Sequence, residues 1–154
     1  IDATPIDRQA VCSKAGVLLE QMLDELTRHY RCSMPRGNRD EFTLGDYVNG
    51  SKKLFKRLEV KRSKSETEFE ELSFEKFYDD LVAFGTVRNL LGAHFNFKSE
   101  DYTDAEALEL ATLIHGCIDQ LLCPECASAP FKEDRTTGEW ACECRKTRMY
   151  PKSL

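Results

Sequence analysis

Two groups of residues in this chain have the types and spacing to do chemistry. The first is Cys123-Pro124-Glu125-Cys126, followed after 15 residues by Cys142-Glu143-Cys144. Two pairs of closely spaced thiols separated by a hairpin-length linker are the pattern of a tetrahedral metal site, in which each pair forms a knuckle and four thiolates meet at one ion. The second pair is CxC rather than the usual CxxC, which tightens its knuckle without removing a ligand. Four thiolates select Zn²⁺ and close its coordination, so the expected role is structural, with Cys123, Cys126, Cys142 and Cys144 as ligands. A module of this length has too small a core to fold unaided, and a bound ion makes up the difference.

The second group is Arg88-Asn89-Leu90-Leu91-Gly92-Ala93-His94-Phe95-Asn96. It closes a strongly amphipathic segment and sets cationic and polar side chains into an otherwise apolar run. Imidazole can move a proton at neutral pH, and a guanidinium fork suits charge developing on a phosphate. On an undistorted helix, Arg88 and His94 would stand about 120° apart around the axis and roughly 9 Å apart along it. Their convergence therefore needs either a break at Gly92 or a second chain. A symmetric dimer that faces two such segments is the expected solution. The bland reading is that Arg88 and Asn89 cap or pair with a neighbouring acidic helix, while His94 sits at a helix C-terminus favoured by the dipole.

The elements that must position these groups follow from hydrophobic periodicity. Thr4-Pro5-Ile6-Asp7 reads as a helix start. Val11, Ala15, Leu18, Leu19, Met22, Leu23 and Leu26 then recur at helical spacing, which predicts a helix over residues 5–31. Thr43-Leu44-Gly45-Asp46 caps a second helix reaching about residue 60, with Asn49-Gly50 as a weak point that could split it. Residues 61–72 are rich in Lys, Ser and Glu, show no apolar period and read as a polar connection. A third helix begins after Ser73 with an aromatic stripe of Phe74, Phe77, Tyr78, Phe84 and their neighbours. Thr103-Asp104-Ala105-Glu106 is a capping box opening a fourth helix, which runs to Leu122. The turn at Thr137-Gly138 folds residues 131–140 into a hairpin. The expected architecture is all-α, a four-helix bundle over residues 1–122 with a small zinc ribbon over residues 123–154.

Composition narrows the function classes. At 154 residues, 41% hydrophobic and 32% charged, the sequence is that of a globular protein, and no apolar run approaches the ~20 residues of a membrane span. No secretory leader is evident, and an initial Ile instead of Met suggests a piece of a longer chain. Seven cysteines without a leader point to a reducing, cytoplasmic compartment, with Cys12, Cys32 and Cys117 as ordinary thiols. The net charge of −5 is uneven, since basic residues exceed acidic ones up to Lys64 and acidic ones dominate two to one beyond it. Lys52, Lys53, Lys56 and Arg57 belong to the basic cluster that ends the first part. Such a run is commonly a solvated helix face, and its functional reading is a phosphate-binding edge. The ribbon's own cations, Lys132, Arg135, Arg145, Lys146, Arg148 and Lys152, are nearly balanced by acids.

Arg88-Asn89…His94, set among helices, resembles the RxxxxxH signature of the HEPN superfamily. The wider run through Asn96 is similar to the C-terminal region of ABC- or SMC-like ATPases of bacterial phage defence. The resemblance covers residues 5–122. It implies metal-independent endonucleolytic cleavage of RNA, often tRNA, at a homodimer interface, with 2′,3′-cyclic phosphate products. Carried over residue by residue, it gives Arg88 to the phosphate, His94 to proton transfer, Asn89 to orientation, and Asn96 to a further contact with RNA. It also implies an ATPase region in the same or an associated chain, because the sequence contains no phosphate-binding loop of its own. The competing expectation is a non-catalytic module that dimerises or binds a partner or nucleic acid, stapled by zinc.

Overall fold

The computed structural model describes residues 5–34, 42–87 and 102–151. Four helices occur in the expected order: α1 (Arg8–His29), α2 (Leu44–Arg57), α3 (Glu75–Val87) and α4 (Asp104–Leu121). Alongside them runs a five-stranded antiparallel sheet, formed by β1 (Leu58–Ser63), β2 (Phe69–Ser73), β3 (Lys132–Asp134), β4 (Glu139–Ala141) and β5 (Thr147–Pro151). Its order is β2-β1-β5-β4-β3. The all-α expectation is therefore wrong, and the chain is mixed α and β.

The error lies in the segment read as a polar connection. α2 stops at Arg57, not near residue 60, and the backbone becomes extended at Leu58. Leu58 and Val60 then point into the core while Glu59 and Lys61 do not, which is the period of two expected of a strand with one buried face. Opposite them, β2 carries little apolar surface and is matched by charge. Lys61 and Arg62 face Glu71 and Glu70 across the ladder, and Lys61 Nζ lies 3.2 Å from Glu71. The other neighbour of β1 is β5, from the far end of the chain, with Val60 opposite Met149 and Leu58 opposite Pro151.

Local signals set the helix starts. Asp7, rather than Thr4, caps α1, its carboxylate accepting from the Ala10 amide at 3.0 Å, and Thr4 lies outside the described residues. Thr43 with Asp46, and Thr103 with Glu106, form the two expected capping boxes. Asn49-Gly50 does not split α2. A side chain at Gly50 would overlap the Met34 thioether, so the missing Cβ lets the chain after α1 lie directly against α2.

The core gathers Leu19, Leu23 and Leu26 of α1 with Leu110 and Ile114 of α4, and both with the aromatic stripe of α3. Phe55 of α2 meets Phe74, Phe77 and Tyr78 with ring centroids 5.4–6.1 Å apart. Val60 and Met149 bring the sheet into the same core. A smaller cluster of Cys12, Tyr102 and Ala107 closes the other end, with Phe84 stacked on Tyr102 at 6.1 Å. No helix among the described residues is long and apolar enough to cross a membrane.

Candidate metal centre

α4 ends at Leu121, and the chain turns immediately into Cys123. The backbone N–H of Leu122 still donates to Ile118, while Arg62 of β1 donates to the carbonyls of Asp119 and Leu122. A guanidinium thus holds the last turn of α4 where its carbonyls would otherwise lack partners. Ala127 and Arg145 both take positive φ, 54° and 62°, each one residue past the end of its Cys pair. These turns direct the two pairs back toward each other. The hairpin of β3 and β4, turned at Gly138 with φ 72°, brings them together as its sequence predicts.

All four sulfurs lie within 4.8 Å of one another. The separations of Cys123 from Cys144 and of Cys142 from Cys144 are both 3.6 Å. Sulfurs bonded to one tetrahedral ion at the ~2.3 Å usual for zinc thiolates stand about 3.8 Å apart, so the four groups could hold a metal ion. Cys123 and Cys142 are buried and Cys144 is exposed.

The surroundings favour thiolates. The Ser128 hydroxyl, 3.1 Å from Cys126, heads the interactions that lower this thiol to about 6. The same hydroxyl accepts from the Glu143 amide at 3.0 Å, so one side chain bridges both knuckles. Burial acts to raise Cys123, yet the Thr147 hydroxyl and the amides of Cys126 and Glu125 hold it below its ordinary value. Thr147 is fully buried and its amide donates to Cys142 at 3.3 Å. Its buried hydroxyl forms no hydrogen bond among the described residues, and Thr147 is among the groups that lower the nearby Cys123 thiol. At Cys144 the Lys146 amide lowers the pKa, but burial and the three neighbouring sulfurs outweigh it and push the thiol up to about 12. Four thiols this close oppose one another's ionisation, and a central cation reverses that opposition. Sequence reasoning missed Ser128 and Thr147. Their signal is slight: a hydroxyl residue two positions after Cys126 and another three after Cys144.

The centre is tied firmly to the helices. His29 stacks on Phe131 with centroids 4.1 Å apart and planes 5° from parallel. The Tyr30 hydroxyl donates to the Pro130 carbonyl at 2.7 Å, its ring meets Trp140 edge-on at 5.0 Å, and Arg31 pairs with Glu133 at 2.8 Å. Three consecutive residues at the end of α1 thus form the seat for the hairpin.

The other expected site residues fall out differently. Arg88, Asn89, His94 and Asn96 lie outside the described residues. Among the described residues, Phe84 near the end of α3 stacks on Tyr102 just before α4, and Arg8 donates to the Tyr102 carbonyl at 2.6 Å. Lys52, Lys53 and Arg57 line a cavity of about 390 Å³ together with Arg31, and Lys56 is not part of its wall. Four of the six ribbon cations meet acids in place, Lys132 at Glu143, Arg135 at Glu133, Lys146 at Glu125 and Arg148 at Glu139, while Arg145 has no ion pair among the described residues and Lys152 lies outside them. Cys12 and Cys117 are buried, and burial raises both thiols, as it raises Cys32 to about 11. This suits inert packing groups. Comparison of the chain with protein-family models, with curated proteins and with solved structures gave no match.

Proposed function

We propose that Cys123, Cys126, Cys142 and Cys144 hold a structural Zn²⁺ and that the domain it staples is an RNA-cleaving effector. The clustering of the four sulfurs within 4.8 Å carries the first half. When bound, the ion supplies a closed four-thiolate link between the two knuckles. Ser128 bridges the knuckles, Thr147 steadies Cys123 and Cys142, and His29, Tyr30 and Arg31 pass the constraint to α1. Thiolates of this kind belong in a reducing compartment such as the cytoplasm.

The second half is supported by the Arg88-Asn89…His94 run and its HEPN-like spacing. In this reading His94 moves the proton of the ribose 2′-hydroxyl or of the leaving oxygen, and Arg88 takes the charge on the phosphate. Asn89 orients one or the other. No catalytic metal takes part, and a homodimer completes the site. RNA, with tRNA as the first candidate, is the substrate, and an ATPase region of the same or an associated chain controls it in phage defence. The test is to incubate the purified chain with total tRNA in EDTA, with zinc retention checked by metal analysis. Fragments ending in 2′,3′-cyclic phosphate, lost with His94→Ala and with Arg88→Ala, are expected. Intact RNA at high protein concentration overturns the nuclease reading.

A second reading, a non-catalytic docking module, is favoured by one observation. The ribbon spends its cations on its own acids and its aromatic residues on α1, as befits a clamp.

A further inference from the structure

The end of α1 and one side of α2 border a half-open cavity of about 390 Å³ lined by Arg31, Lys52, Lys53 and Arg57, and among the described residues no carboxylate lines it. Asn49, Lys53 and Arg57 recur every fourth residue, so they form one stripe along α2. Two cations at that spacing repel each other, and Lys52 adds a third charge beside them. None of the three has an ion-pair partner among the described residues, whereas four of the ribbon cations do. Arg31 keeps a contact with Glu133 and stands 6.0 Å over the Trp140 ring, which fixes its guanidinium at the rim. Gly50 forms part of the wall, and its missing side chain lets Met34 close in beside it.

We propose that this cavity binds the phosphodiester backbone of single-stranded RNA. An acidic protein that collects unneutralised cations in one concavity has built a local positive potential that its net charge of −5 does not provide. The ligand must then carry several negative charges at close spacing. Guanidinium and ammonium groups together suit phosphate, the first as a fork and the second as a point charge. The volume lies at the low end of the ~300–1,000 Å³ usual for enclosed ligands, room for about one nucleotide and too little for a duplex. A strand lying over the cavity would thread a phosphate past Lys53 and Arg57, with Lys52 and Arg31 beside it. The choice of RNA rests on the nuclease reading above, whereas the phosphate chemistry does not.

The test measures fluorescence anisotropy of a labelled 12-nucleotide single-stranded RNA with the zinc-loaded full chain, carrying His94→Ala so that the probe survives. Lys53→Gln with Arg57→Gln is expected to weaken binding at least tenfold and to reduce the slope of log K against log salt by about 1.4. Lys14→Gln with Lys64→Gln, which removes the same charge elsewhere, is expected to change affinity less than twofold. Circular dichroism checks that both double variants fold. Equal losses from the two pairs, no loss from either, or equally tight binding of a 12-base-pair duplex would overturn the proposal. With His94 restored, cleavage at unchanged KM in the Lys53/Arg57 variant would sink the cavity and leave the nuclease standing. Binding that maps to the cavity without any cleavage would do the reverse.

Discussion

Val60 on β1 stands directly opposite Met149 on β5, and both side chains are essentially removed from solvent. This pair joins the hairpin that follows α2 to the last strand of the cysteine-bearing segment. Met149 is also matched to Trp140 on β4, so it links the metal centre to the helical core in one step. Stability of the helices and order at the four-cysteine cluster are therefore coupled, and a metal held there is expected to act on both.

Removing the metal should be felt far from the cysteines. Cys142→Ser, or prolonged chelation, is expected to lower Tm by more than about 10 °C, as loss of a structural ion would. Helical circular dichroism and Trp140 fluorescence should fall together. Melting of the hairpin alone, with α1–α4 unchanged, would show that β5 does not transmit the constraint.

Met149→Ala should cost about 2–5 kcal/mol through loss of a buried side chain and the cavity it leaves. Urea denaturation followed by helix signal and by Trp140 fluorescence is expected to give one transition with a lower midpoint. Two separate transitions would mean that the core divides at β1 and β5.

The buried Thr147 hydroxyl lacks a hydrogen-bond partner among the described residues and lies among the groups that lower Cys123, so its removal should be read at the metal. Thr147→Val keeps the shape and is expected to weaken Zn²⁺ affinity about 10- to 100-fold in competition with a chromogenic chelator. Thr147→Ser should retain most of it. Equal affinities for the Val and Thr proteins would show that the hydroxyl plays no part.

Tyr47 provides the pH dependence. Burial first, and then its hydrogen bond to Asp24 at 3.1 Å, push its phenol up to about 12. The folded state holds this proton more tightly than the unfolded chain. The contribution is thus fully present below the ordinary pKa near 10 and is lost as pH rises from there through about 12. Burial also raises the phenols of Tyr30 and Tyr78, so ultraviolet titration should show Tyr47→Phe losing one late-ionising phenol while theirs remain. That variant should lose about 0.5–1.5 kcal/mol at neutral pH and have a flatter stability curve above pH 10.

The amino-acid sequence by itself determined what is decided within a few residues. Thr43 and Thr103 announce their helices because a hydroxyl and an acid three positions apart close a capping box without help from the rest of the chain. Cys123-x-x-Cys126 and Cys142-x-Cys144 announce a four-sulfur cluster for a like reason, since each knuckle is local and one short hairpin joins them. Tertiary structure alone decided the sheet. Residues 58–73 are too polar to declare themselves as strands, and they become strands because β5 lies against β1 and the acids of β2 against its cations. That pairing spans most of the distance from α2 to the end of the chain, where no local pattern can register it. The same holds for the basic cavity: the sequence shows a cationic run, but only the fold leaves Lys52, Lys53 and Arg57 without acids among the described residues and sets Arg31 beside them.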